Sequence, residues 1–488
     1  MRKISVLSLV VTATMFGGCA LFSPSYHQPN VEAPTTTRSG MAIESTNIDL
    51  SQMEWWKKVN DPVLNQLIIL ALSNNAQIQV AQGNIMQAQA RLKAAEYSWI
   101  PTFSAVGGGF AGGSFLTNTT PQGGLANAIP GGGMSNSNFN GAFAGFVPSY
   151  SFNVFANISQ TKLAQATLEL QKAAYNATRL TVIGQVSGGY FNLLAQKRQL
   201  LLQQQLIDDA KELSRLEMIQ VKNGAADMTV IAQYDQQIAN YQAQIPPILN
   251  AISQTENAIQ VLINQNPGPI VTNGSIDKLN IESIIPAYLP SSVLRNRPDI
   301  IQAEGNLRIA NANIAVANSK FFPSVNITGF GGGMTAAFAQ LLNLSTGFWT
   351  VAALASMPII DVSSYEQVKA QKGSYYAAYY SYINTVKSAF QNVDDNLTNK
   401  QNMDKVYAET YKSYLAADEY YRLTKVQYNY GNSSMTNVLQ AKQTLDNVNL
   451  SLLQAKASQL SAIVQVYQAL AGGYAAESDL SKPKELPN

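Results

Sequence analysis

The residues able to do covalent or metal chemistry in this chain are few and poorly placed for it. There is one histidine, His27, and one cysteine, Cys19. A zinc site needs about four N or S ligands, and a lone cysteine has no partner for an internal disulfide. Asp394-Asp395 offers two carboxylates, but neighbours on a helix point about 100° apart and do not flank one bond. The run Gly329-Phe330-Gly331-Gly332-Gly333 has the glycine content of a phosphate loop, yet no Lys-Ser/Thr follows and its setting is a strand. Small residues packed in a sheet account for it better. His27 sits in a Pro-rich stretch and reads as exposed, and Tyr375, Tyr376, Tyr379, Tyr380 and Tyr382 read as packing between helices. Neither an enzyme nor a resident metal or cofactor is expected.

Cys19 has another use. Met1-Arg2-Lys3 is basic, residues 4–16 are almost wholly apolar, and Gly17-Gly18 precede the cysteine. That is the layout of an export signal over residues 1–18, and its apolar core is too short to span a ~30 Å hydrocarbon layer. The site resembles the bacterial lipobox, in which the cysteine becomes an acylated N-terminus; Phe16 departs from the usual Leu. Ala20 in place of Asp implies, by the same resemblance, delivery to the outer membrane. A covalent lipid on Cys19 is therefore expected, followed by an anchored extended segment over 19–59.

Composition narrows the rest. The chain has 488 residues, 32 Lys+Arg against 30 Asp+Glu, 46% hydrophobic and 13% charged residues. Loss of Arg2 and Lys3 with the signal leaves 30 basic against 30 acidic residues, so no broad basic face for nucleic acid is expected. A charged fraction far below the usual ~25% means a surface of neutral Gln, Asn, Ser and Thr. The mature chain has no run of 18 apolar residues. A membrane crossing would have to be a closed β-barrel, because open strand edges cannot face lipid.

The chain is also written twice. Residues 74–109 align without gaps on 296–331, with eleven identities that include Asn74/Asn296, Gly83/Gly305, Pro101/Pro323 and Gly107/Gly329. Gly224-x-x-x-Met228-Thr229 matches Gly431-x-x-x-Met435-Thr436. The repeats span about 60–270 and 285–475, joined by a connector at 271–284 and followed by a tail at 476–488. Each opens with a helical stretch rich in good helix formers and continues into Gly- and Phe-rich strands, near 102–112 and 138–152, then near 324–334 and 345–357. Phe139, Gly141, Phe143, Gly145 and Val147 alternate as a strand requires. Long Pro-free helices follow. Leu163, Ala166, Leu170, Ala173, Ala177 and Leu180 step as a coiled-coil seam, as do Val386, Ala389 and Val393. Four strands cannot close a membrane barrel, which takes about eight or more, so other copies of the chain must complete it.

With these features the chain resembles the outer-membrane efflux protein (outer membrane factor) family, of the lipid-anchored TolC/OprM type. The resemblance rests on Trp55-Trp56 with Asp61-Pro62, on Leu289-Pro290, Leu294, Arg297-Pro298-Asp299-Ile300, Ala303-Glu304 and Phe322-Pro323, and on Tyr428, Gly431, Val438-Leu439 and the closing Ala469–Gly473 stretch. It implies a mainly α fold with a β membrane segment: long antiparallel helices forming an α-barrel, and four strands per protomer completing a 12-stranded barrel in a homotrimer. Pro101 and Pro323 would mark the passage from helix to strand, and Pro148 and Pro358 the passage back. The implied partners are a periplasmic adaptor and an inner-membrane pump of the RND type; the implied role is export of small molecules such as drugs. Export of proteins through the same kind of tunnel is the alternative, and a purely structural coiled coil a third reading. Trp99, Phe321, Phe322, Phe348 and Trp349 at strand ends suit an interfacial belt.

Control of such a conduit belongs at the turns between paired helices, near 222–229 and 428–440, which hold Gly224, Asp227, Met228, Gly431, Met435, Asn437, Leu439 and Gln440. In related channels Asp residues after the second turn form closing rings. Here Asn437 and Gln440 stand at those positions, and Asp227 matches no gate carboxylate. Tyr428 and Lys456 match positions that link neighbouring helices. The expectation is a gate held by amides and by packing of Met228, Met435 and Leu439, less responsive to pH and divalent cations than an acidic one.

Overall fold

A computed structural model of the protein describes residues 25–31, 38, 43–44, 50–112, 139–225, 227–272, 274–279, 289–290, 296–335 and 347–475. The export signal, Cys19 and the tail at 476–488 lie outside the described residues. Eight helices follow in chain order among those described: α1 (Pro62–Asn74), α2 (Ala76–Glu96), α3 (Val154–Lys222), α4 (Met228–Ala243), α5 (Ile245–Leu262), α6 (Pro298–Ser319), α7 (Val362–Asn429) and α8 (Met435–Ala469). Four long strands alternate with them: β1 (Thr102–Gly112), β2 (Phe139–Phe152), β3 (Ser324–Thr335) and β4 (Gly347–Ser356). At 69 and 68 residues, α3 and α7 are each about 100 Å long by their rise per residue. Freedom from proline permits this length. None of the described helices is apolar enough to cross a membrane.

The duplication is visible in the backbone. Pro101 and Pro323 each stand one residue before a strand, so β1 and β3 begin at matching positions. Gly224 and Gly431 have φ of 73° and 75°, and Asn264 and Ala471 have φ of 58° and 52°. Each of these four ends a helix with the same pair of bonds, such as Gln265 N to the Gln260 carbonyl at 2.8 Å and Gly472 N to the Tyr467 carbonyl at 2.8 Å. A left-handed residue closing a helix in this way serves carbonyls that the helix leaves unpaired. Alanine is a poor residue for that conformation, since its Cβ crowds the following carbonyl. Ala471→Gly is expected to stabilise the chain by about 0.5–1 kcal/mol; thermal unfolding followed by circular dichroism checks it, and a lower melting temperature would refute it.

The chain divides into two compact units, one centred on residues 89–166 and 308–376, the other on residues 27–88, 167–307 and 377–488. Each draws on both sequence repeats.

The first unit holds an antiparallel sheet in the order β1-β2-β3-β4. β2 and β3 join the two hairpins, and Gly145 faces Gly332 across that seam. The glycine run read as sheet packing is just that: a Cβ on Gly145 would stand 2.7 Å from the Gly331 carbonyl oxygen. Pro323 and Pro358 lie at helix–strand junctions as expected, but Pro148 does not. It sits inside β2, opposite Phe103 of β1. The β2–β3 register runs to Phe146↔Gly331 and resumes at Ser149↔Thr328, so the nitrogen that cannot donate falls in a gap of the ladder, where proline is tolerated. A Cβ on Gly329 would stand 2.9 Å from the Pro148 ring. Phe155 stacks on Phe322 at 3.7 Å and Trp99 meets Phe152 edge-on at 5.6 Å. Trp349, by contrast, is 78% exposed.

The second unit holds the main core. Trp55, Trp56, Val182, Ile183, Val186, Tyr190, Ile259, Ile463 and Tyr467 are all buried in one cluster. The Trp55 and Tyr467 rings stack 4.6 Å apart. Asp61 caps α1 by accepting from the nitrogens of Val63 and Leu64 at 2.9 and 3.2 Å, and also accepts the Tyr190 hydroxyl at 2.7 Å. Burial first, and the Asp61 carboxylate second, hold the Tyr190 hydroxyl well above its ordinary pKa. Of the predicted seam on α3, Ala173 is buried and Leu163, Ala166, Leu170, Ala177 and Leu180 are half-buried, while Val386, Ala389 and Val393 of α7 are buried. Of the tyrosine run, Tyr382 is buried but Tyr376 and Tyr380 are exposed in the single chain.

Candidate tip gate at the helix turns

Each tip is built by the same device. α3 ends at Lys222 and α4 starts at Met228; α7 ends at Asn429 and α8 starts at Met435. Gly224 N donates to the Val221 carbonyl at 3.0 Å, and Gly431 N to the Tyr428 carbonyl at 2.9 Å. Nothing stands within 4 Å of a Cβ on either glycine, so these positions need glycine for their backbone angle and not for space. The next helix is then capped by a side chain. Asp227 Oδ1 accepts from Thr229 N at 2.9 Å, and Ser434 Oγ from Asn437 N at 3.2 Å. Asp227 is thus an N-cap, the role its residue type favours. Sequence reading missed Ser434, although a serine three residues ahead of Asn437 is such a signal.

The second turn is shorter than the expected 428–440. Met435, Asn437, Leu439 and Gln440 lie on the first turns of α8, because the Ser434 cap starts the helix there. Leu439 is buried, Met435 half-buried, and Met228, the first residue of α4, is 58% exposed. The structure therefore does not gather Met228, Met435 and Leu439 into one packed cluster within the chain. Asn437 Nδ2 donates back to Ser433 Oγ at 3.2 Å, and Gln440 is exposed. Tyr428 lies in the last turn of α7, 41% exposed. The Lys456 ammonium of α8 stands 4.8 Å from the Tyr407 ring centroid of α7. Close by, Gln459 donates to Asp404 at 3.0 Å.

Three contacts tie the two helical hairpins, α3–α4 and α7–α8, together near these turns, and no motif announces them. Thr436 donates to the buried Glu217, joining α8 to α3. Gln443 Nε2 donates to the Tyr241 hydroxyl at 2.7 Å, joining α8 to α4. Lys442 of α8 lies 3.1 Å from Asp209 of α3 and 2.5 Å from Asp446 of its own helix. Among the described residues no group of His, Cys, Asp and Glu could hold a metal ion.

Long paired helices ending in glycine-centred turns, with two β-hairpins inserted at matching places of a duplicated chain, define the protomer of an outer-membrane channel with an α-helical extension. The chain belongs to the outer membrane efflux protein family, which it matches over residues 67–265 and 289–472. It is 27% identical over 479 residues to the probable efflux pump outer membrane protein TtgC of Pseudomonas putida, covering 96% of each chain. Its fold superposes on the open state of the Neisseria gonorrhoeae MtrE outer membrane channel with a TM-score of 0.77 at 26% identity, over 92% of this chain and 98% of that one. The Campylobacter jejuni CmeC outer membrane channel gives 0.78 at 24% identity, over 93% and 95%.

Proposed function

We propose that three copies of this chain close their sheets into one 12-stranded barrel in the outer membrane and that the resulting channel carries small molecules outward. The observation that carries this reading is the state of the sheet. Among the described residues β1 pairs only with β2 and β4 only with β3, and every position of β4 is exposed. Trp349, Val351 and Leu354 of that strand are each more than 60% exposed. An apolar strand with an open edge invites pairing, and lipid admits no unpaired edge, so β4 of one copy joins β1 of the next. Lipid on Cys19 anchors each copy; a periplasmic adaptor and an inner-membrane pump of the RND type supply partner and energy.

Purified full-length protein in detergent is expected to run as a trimer and to give discrete current steps in a planar bilayer. A persistent monomer without current would refute the reading. A deletion strain should become sensitive to drugs or solvents with an unchanged secretome, whereas loss of a secreted protein would favour protein export. With amides at 437 and 440, divalent cations are expected to leave the current unblocked at micromolar concentrations.

A further inference from the structure

We propose that Asp209, Lys442 and Asp446 form a proton-operated clasp between the two hairpins, which tightens in acid and holds the tip shut. This rests on the reading of the protein as a channel gated at its helix turns.

The cluster sits where separation of the hairpins must pass. Lys442 and Asp446 lie within the first four turns of α8, and Asp209 on α3, each about 10–20 Å from its turn by the helical rise. Asp446 is 3% exposed and Lys442 reaches both its carboxylate oxygens, at 2.5 and 2.6 Å. Asp209 lies across the helix interface within hydrogen-bonding reach of Asp446. Its Oδ2 is buried, faces the Lys442 ammonium at 3.1 Å, and receives no well-directed hydrogen bond. Two carboxylates thus share one ammonium, leaving one net negative charge and an acceptor without a donor. A buried polar atom in that state is costly. One proton on Asp446 makes the cluster neutral, and the new O–H can donate to the Asp209 carboxylate across the two helices. The charged groups acting on Asp446 are Lys442 from its own helix and Asp209 from α3; on α4, the Tyr241 hydroxyl is held by Gln443 of α8.

The chemistry of the site agrees. Burial, and then the contact with Asp209, push the Asp446 carboxyl up to about 6. Lys442, which burial alone would push down, is held above its ordinary range by the two carboxylates. A carboxyl raised in the packed state favours that state below its pKa and loses the advantage as pH rises through it. If opening returns Asp446 to an ordinary carboxyl near 4, the open-to-shut ratio should fall about tenfold between about pH 7.5 and about pH 5.

The test is single-channel recording of the assembled full-length protein across that range, with infrared difference spectra of the same material. Open probability should fall in acid with a midpoint near the Asp446 value, and a protonated-carboxyl band should appear in step. Asp446→Asn should abolish both, and Asp209→Asn should move the midpoint to lower pH by removing a neighbouring negative charge. A flat open probability, or an unchanged midpoint in Asp446→Asn, overturns the clasp. A carboxyl band that survives Asp446→Asn does so too. Absence of current at every pH overturns instead the channel reading, and the infrared band then still decides whether Asp446 takes up the proton.

Discussion

Gly332→Val is expected to abolish assembly while leaving most helix intact. A Cβ at Gly332 would stand 2.5 Å from Gly145 Cα, with the Ala144 carbonyl oxygen closer still. Both are backbone atoms in the paired strand, so no rotamer change relieves the clash, and valine adds two further methyls. The β2–β3 ladder is the only strand pairing between the two β-hairpins among the described residues, and Pro148 already interrupts it. Forcing it apart should cost about 3 kcal/mol or more at the place where the sheet has least to spare. The expected result is loss of the detergent-stable oligomer and of current, with a helical far-ultraviolet spectrum retained. Gly331→Ala is the control, because nothing stands within 4 Å of a Cβ there; it should assemble normally. A Gly332→Val channel with ordinary conductance would show that the strands pair differently.

The large features of this fold were legible because they are local or periodic. Pro101 and Pro323 mark helix–strand junctions through the missing N–H and the fixed φ, and Gly224 and Gly431 mark turns through an angle that other residues resist. What escaped depends on partners distant in the chain. Pro148 reads as a boundary, yet it lies mid-strand because a gap in pairing to β3 spares it. Ala471 carries none of the residue preference for the left-handed angle its position imposes; only Asn264, its counterpart in the first copy, gives that away. The repeat marks the two glycine-centred helix turns but not the packing around them: Met228 is exposed, whereas Glu217, Asp209 and Asp446, which have no motif, bind the helical hairpins together. Periodicity names the face of a helix and not the side chain that meets it.

Arg297 shows what a motif can mean physically, and its replacement should have the second large effect. Its Nε and Nη2 fork onto Asp299 at 3.1 and 2.8 Å, while Nη1 donates to the Ala469 carbonyl at 2.5 Å and approaches Asn392 of α7 at 3.4 Å. Ala469 ends α8, so its carbonyl is among those that the helix leaves without a partner. Pro298 opens α6 at the position that suits proline, and Asp299 sits in its first turn, where the helix dipole favours a carboxylate. One guanidinium thereby ties the start of α6 to the end of α8. The ion pair contributes little, because the Asp299 side chain is 47% exposed and water screens it. The carbonyl matters more: Arg297 is buried, and Arg297→Ala would strand that acceptor without reaching water. The expected loss is about 2–4 kcal/mol of helical stability, read as a lower midpoint in denaturant for the full chain. Arg297→Lys keeps the charge but only one donor direction, so it should recover less than half. If lysine restored the whole midpoint, charge and not the fork would be what holds α6 to α8. Channels that do assemble from either variant should conduct normally, since the lesion lies in the join between helices and not at the turns that open.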